Sequence, residues 1–237
     1  MAAVTRELDV SVVERDVTAL LAQFPTAAGR PSCVSLASLP APSTRLCEES
    51  FRFAHDSLDT VMFNHSVRVY YIGALVASDR FPGLRWDREA YYLTSVLHDL
   101  GVGPRNLPAT RLSFEFHGGI IAREFLLSRG APNTLADEVS EAIFRHTDFV
   151  PGKITSTGQL IQLATTLDVI GANPQLYHPE SYAQIVEQWP RLGFNQHFAA
   201  LMEEEERLKP GCHTTSLDDQ GFISKIRANP WTRRFDE

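Results

Sequence analysis

A histidine followed directly by an aspartate, His98-Asp99, closes the apolar run Val96-Leu97 and leads into Leu100-Gly101. Imidazole and carboxylate are both strong metal donors. Neighbours on a regular helix, however, point about 100° apart. The two can meet one ion only where the helix ends and the backbone turns, a turn that Gly101 would permit. Upstream, His65 falls on the predicted helix face of Val69, Ile72 and Val76; downstream, Asp168 falls on that of Ile161, Ala164 and Thr165. A carboxylate inside the apolar run 160–170 is expensive to bury unless it is paired or coordinates a metal. Two imidazoles with two carboxylates make a mixed nitrogen and oxygen set of four donors. Such a set suits zinc, or a ferrous, manganese or cobalt ion, with room for water.

The elements that must position these residues read as helices. From residue 44 onward, apolar residues recur at steps of three and four almost throughout. The spacing predicts helices over 44–57, 60–79, 88–100, 113–129, 134–147, 156–171, 180–189 and 195–208, with a short one near 221–227. Asp87 as a cap, Pro82-Gly83, Gly130 with Pro132, Pro151-Gly152, Pro174, Pro179 and Pro190 punctuate them. Val67 to Ile72 has strand-like composition, but the longer frame from His65 to Val76 keeps one helical face. Before residue 44, Val10, Val13, Val17, Leu20, Leu21 and Phe24 predict an amphipathic helix stopped by Pro25. Pro25, Pro31, Pro40 and Pro42 then mark an irregular arm. The expected organisation is an N-terminal helix and Pro-rich arm over 1–43 and a helical catalytic domain over 44–237, all-α in class.

Composition limits the function. In 237 residues with 43% hydrophobic and 22% charged residues, a sizeable core can form without staples. A net charge of −7 argues against a nucleic-acid partner, which would need clustered Lys and Arg. Cys33, Cys47 and Cys212 are too few for a disulfide framework, and no run reaches the length of a membrane span. The expectation is a cytoplasmic protein with no membrane contact.

The ordered set His65, His98-Asp99 and Asp168 resembles that of the HD-domain metalloenzymes, a helical fold named for its His-Asp pair. Several blocks resemble more narrowly the fungal cyanamide hydratase family: Asn64 to Val69, Leu97 to Gly101, Thr110 to Glu115, Glu141 to Asp148, Gly158 to Thr165 and Lys209 to Thr215. The chain departs from that family at His117, where a tyrosine usually precedes the Gly-Gly, and at Gly211, where a tryptophan usually stands. The resemblance implies an HD-type helical bundle holding one zinc per chain through His65, His98, Asp99 and Asp168. It implies a hydro-lyase in which metal-activated hydroxide adds to the nitrile carbon of cyanamide to give urea.

Further residues follow from the same reading. His146, after the face Val139, Ala142 and Ile143, is expected to act with Asp99 in catalysis, as an acid/base or substrate contact. Asn64, Arg68 and His117 are expected at the substrate pocket. His213, Thr214 and Thr215 read most plainly as a capping turn, the alternative being a cover for the pocket from the C-terminal region or a neighbouring subunit, and a homo-oligomer is expected. Glu203 to Glu206 reads as a solvated helix face, and His55, His178 and His197 have no evident partner. The competing function is an HD-type metal-dependent phosphohydrolase acting on nucleotides, with Arg68, Arg105, Arg111 and Arg145 as phosphate clamps. Two carboxylates around one divalent ion would leave the centre formally neutral and offer a phosphate dianion little attraction.

Overall fold

The computed structural model describes residues 6–24, 29–148 and 150–236. Pro25, the expected helix stop, lies outside them. The main body is helical as the periodicity requires. Helix α2 (Arg45–Ser57) precedes α3 (Thr60–Arg80) and α4 (Arg88–Leu97). Next come α5 (Phe114–Ser128), α6 (Asn133–Phe144) and α7 (Ser156–Ile170). The chain closes with α8 (Pro179–Gln188), α9 (Phe194–Leu208), α10 (His213–Asp218) and α11 (Phe222–Ala228). The starts are set by caps: Asp59 accepts from Met62 N at 3.0 Å, Asp87 from Ala90 N at 2.9 Å and Thr155 from Gly158 N at 3.2 Å.

Helices α3 and α7 pack together at the centre and are buried on nearly every side. That is why their apolar residues do not keep to a single stripe. They carry His65 and Asp168, so both side chains start from the most enclosed part of the molecule. The strand-like stretch 67–72 is helical, inside α3.

The N-terminal prediction needs correction. Val10 to Phe24 is not one helix: Val12–Glu14 forms strand β1, and only Val17–Gln23 is helical (α1). Strand β1 pairs antiparallel with β2 (Lys153–Thr155), Val12 opposite Thr155 and Glu14 opposite Lys153. Ser156 N donates to Ser11 O at one end of this ribbon and Arg15 N to Gly152 O at the other, and Thr155 then caps α7. The described part of the arm lies on α8: Val34 N donates to Ser181 Oγ at 2.8 Å and Leu36 N to Gln184 Oε1 at 3.1 Å. Leu36 and Leu39 are buried in the same core as the helices.

Two further elements differ from the sequence reading. Helix α4 stops at Leu97 instead of running to 100, and a 3-10 turn follows at Leu100–Val102. Helix α6 stops at Phe144, which leaves His146 in the turn beyond it.

Candidate metal centre and active site

The break after Leu97 is what makes His98 and Asp99 usable together. His98 keeps helical angles, whereas Asp99 moves to φ −101°, ψ 14°, and the two side chains then converge. Gly101 contributes differently from expectation. Its φ is not positive. A Cβ there would instead overlap the carbonyl oxygen of Phe114, so the glycine lets the start of α5 lie against the turn.

Three of the four expected ligands meet. His65, His98 and Asp99 are each 1% exposed, and their donor atoms lie within 4.8 Å of one another. Asp99 Oδ2 is 3.1 Å from His98 Nε2 and 3.5 Å from His65 Nε2; Asp99 Oδ1 is 4.0 Å from His146 Nε2. Every Nδ1 is engaged behind the site. His98 Nδ1 is 2.7 Å from Ser95 O, His146 Nδ1 is 2.7 Å from Ile143 O, and His65 Nδ1 is 2.7 Å from Asp168 Oδ2. A carbonyl or carboxylate can only accept, so each Nδ1 carries the hydrogen. Each neutral ring therefore presents an Nε2 lone pair inward.

Asp168, the fourth expected ligand, is placed differently from the other three. It stands behind His65, and both its oxygens are taken. Oδ1 accepts from Arg191 Nη1 at 2.6 Å and Tyr182 Oη at 2.5 Å; Oδ2 accepts from Arg68 Nη2 at 2.9 Å and from His65 Nδ1. It is therefore outside the group of convergent donors among the described residues. Burial alone would raise its pKa, but Arg191 and Arg68 hold it well below the usual carboxylate range. Two guanidiniums, those of Arg68 and Arg191, stand against the charge of Asp168.

Asp99 presents the opposite case. Both its oxygens are buried and have no hydrogen-bond partner. Burial pushes its pKa up, yet the surrounding His98, His65 and His146 bring it down to about 2. Against the same burial, Asp99 raises His98. His65 is lowered by burial, which outweighs the pull of Asp168. His146 is lowered to about 4 by burial and by the neighbouring His98. A buried, unpartnered carboxylate facing imidazole lone pairs lacks one thing, a cation. The donor set fits a divalent ion that takes nitrogen and oxygen ligands.

The centre opens into a cavity of about 30 Å³ lined also by Phe114, His146, Thr147, Thr165 and Phe198. No Lys or Arg is among its described lining residues. Arg68, expected at the pocket, is spent on Asp168 and on the carbonyls of Trp189 and Pro190. Asn64 donates to Pro190 O at 2.9 Å, tying α3 to the loop before α9. His117 does not line the cavity. Arg145 faces Glu141 and Asp148, while Arg105 and Arg111 are turned to solvent or its margin.

Other residues found partners that spacing could not supply. His213 Nδ1 pairs with buried Glu115 at 2.6 Å, and His213 N donates to Ser113 Oγ, joining two blocks far apart in the chain. Glu205 is not solvated: it is fully buried, bound by Lys209 Nζ at 2.8 Å and by the Thr214 hydroxyl. His197 pairs with Asp59, His178 caps α8 through Glu180 N, and His55 lies edge-on to Phe63.

Comparison with known proteins agrees with this geometry. The HD domain family matches residues 62–210, the span that supplies His65, His98, Asp99 and His146. Two curated relatives from Saccharomyces cerevisiae (strain ATCC 204508 / S288c) are Cyanamide hydratase DDI2 and Cyanamide hydratase DDI3. Each is 38% identical over 195 residues, covering 81% of this chain and 86% of the relative. A buried His-His-Asp group on an HD-type bundle, with similarity of that extent, makes this chain a member of the cyanamide hydratase family of HD-domain proteins.

Proposed function

We propose that this chain is a cation-dependent hydro-lyase that hydrates cyanamide to urea, with His65, His98 and Asp99 holding one zinc ion. The carrying observation is the cavity at the centre. At about 30 Å³ it offers room for two or three waters, at roughly 10–15 Å³ each. A linear molecule of three heavy atoms fits such a space, whereas a nucleotide would have to leave most of its bulk outside it. The missing cationic lining counts in the same direction, because phosphate chemistry needs Arg or Lys near the ion.

A divalent ion of this kind supplies Lewis acidity, acidifying water and offsetting charge as a nitrile is attacked. The chain's own residues do the rest. His146, neutral at pH 7, can take the proton lost by the attacking water at Nε2 and return it to the nitrile nitrogen. Phe114, Phe198 and Phe222 give the cavity an apolar wall. Asp168, with Arg68, Arg191 and Tyr182, fixes the tautomer and direction of His65 without touching substrate. The product of addition is isourea, which tautomerises to urea. Three free cysteines are consistent with a reducing, cytoplasmic setting.

The test is metal analysis together with a paired assay on one metal-loaded preparation: urea from cyanamide, and phosphate from a panel of nucleoside monophosphates. Urea without phosphate, at about one ion per chain, is the expected result. Nucleotide hydrolysis without urea would overturn the reading and leave the fold intact.

A further inference from the structure

Hydration of a nitrile builds negative charge on nitrogen as oxygen bonds to carbon. A donor aimed at that nitrogen lowers the barrier. Among the described side chains lining the cavity, the donors can be enumerated. With a cation in place the imidazoles are neutral. Those of His65, His98 and His146 then offer lone pairs, since their hydrogens sit on Nδ1 and point away. Asp99 can only accept. Phe114, Phe198, Phe222, Val169 and Ile170 offer nothing. Two of the three threonines have their hydroxyl hydrogen committed to their own helix: Thr165 Oγ1 donates to Ile161 O at 2.8 Å and Thr166 Oγ1 to Gln162 O at 2.6 Å. Thr147 is the exception. Its Oγ1 is buried and has no hydrogen-bond partner, although the residue is only 6% exposed and lines the cavity next to His146. A buried hydroxyl without a partner is uncommon and calls for a ligand or a water.

We propose that the Thr147 hydroxyl donates a hydrogen bond to the nitrile nitrogen in the transition state, and so is a catalytic residue of the hydration proposed above. The step balances without any further reactant. The water oxygen bonds to the nitrile carbon, one carbon–nitrogen π bond opens, and its electron pair moves onto nitrogen beside the Thr147 hydroxyl. The proton that the water loses goes to His146 Nε2 and then to that nitrogen, giving isourea. Thr147 keeps its own proton throughout. Thr165 and Thr166, whose hydroxyls can only accept, suit the amino end of the same substrate. The lining thus offers a cyanamide molecule one uncommitted hydroxyl donor and two hydroxyls that accept.

The experiment compares wild type, Thr147→Val and Thr147→Ser for kcat, KM and bound metal, with cyanamide as substrate. Thr147→Val is expected to lower kcat about 100-fold with KM changed by less than about threefold. Metal should be retained, and Thr147→Ser should recover most of the rate. If the valine variant fails to fold, Thr147→Ala against Thr147→Ser carries the same comparison. A kcat within about threefold of wild type would overturn the proposal, as would metal loss in step with activity or failure of serine to restore the rate. No urea from wild type would overturn the functional reading itself. Urea from wild type with an equally active valine variant would overturn the role of Thr147 alone.

Discussion

Two buried aspartates flank one imidazole, and they could hardly be more differently treated. Behind His65, Asp168 receives two guanidiniums, a tyrosine hydroxyl and the imidazole N–H. In front of His65, Asp99 receives nothing on either oxygen. Both carboxylates are ionised, but for different reasons: Arg191 and Arg68 hold the first down, and a ring of histidines the second. The saturated carboxylate has no valence left for a ligand and works as a fixed brace. The unsaturated one keeps its bonding capacity in reserve. A buried acid is therefore a binding group or a structural group according to what already satisfies it, not according to its burial.

Replacing Asp99 tests the open side and carries the largest effect. Asp99→Asn should abolish metal retention and lower activity by more than about 100-fold, beyond what loss of an orienting partner costs. At alkaline pH, where the His98 contribution is gone, the variant should unfold at nearly the temperature of metal-free wild type, since no hydrogen bond to Asp99 is lost. Elemental analysis and thermal unfolding of the same samples decide it. Metal retained with activity gone would move Asp99 from ligand to some other role.

Asp168→Asn should do the reverse. It leaves buried Arg68 without a carboxylate partner and Arg191 with Asp236 alone, at a cost of about 3–5 kcal/mol in stability. Metal affinity should weaken by about 10–100-fold as His65 loses its orienting partner. Denaturant unfolding and metal titration measure the two. A variant as stable as wild type would show that the brace is dispensable.

A third and smaller effect separates the two sides by pH. In metal-free protein, raised His98 adds stability that is fully present below its ordinary pKa and is lost as pH rises through its folded value. His146 has the opposite sign. Its fall from 6.5 to about 4 means that the fold loses stability as pH drops through that window. Metal-free unfolding temperature should accordingly decline on the acid side, while metal affinity climbs as pH rises and the cation displaces the proton of His98. Asp99→Asn should remove the His98 contribution and leave the acid decline in place. A metal affinity flat between pH 6 and 8, the range in which a histidine near its ordinary pKa titrates, would count against proton competition at this centre.

The sequence was legible where residue type and local period decide the outcome. His65, His98 and Asp99 were found because donors on apolar helical faces are rare, and the break after Leu97 turns a helical pair into a chelate. Asp168 was legible as a buried acid that must be answered. Its answer was not, because Arg191 and Tyr182 come from other elements and Arg68 could equally have faced solvent. The same holds for Glu205, whose run of four acids suggests a wet surface until Lys209 and Thr214 fold over it. Strand β1 was missed because three residues with valines at 10, 13 and 17 satisfy a helical period as well, and its partner lies at the far side of the chain. His146 could be singled out from its place after an apolar helical face, but the donor role argued for Thr147 depends on which hydroxyls are already committed, and spacing carries no such information.

The hydrogen bond between His65 and Asp168 joins residues 103 positions apart, and the Arg68 bond to the same carboxylate spans 100. Contacts of that range lend little to the early stages of folding, since closing so long a loop costs chain entropy before any contact rewards it. Helices α3 and α7 have to be formed and paired before the imidazole of His65 has a reason to face one way. The inward-pointing nitrogen is thus a late product of folding. A cation bound there would meet donors already aimed by the fold, whereas in a small zinc finger it organises the chain around itself.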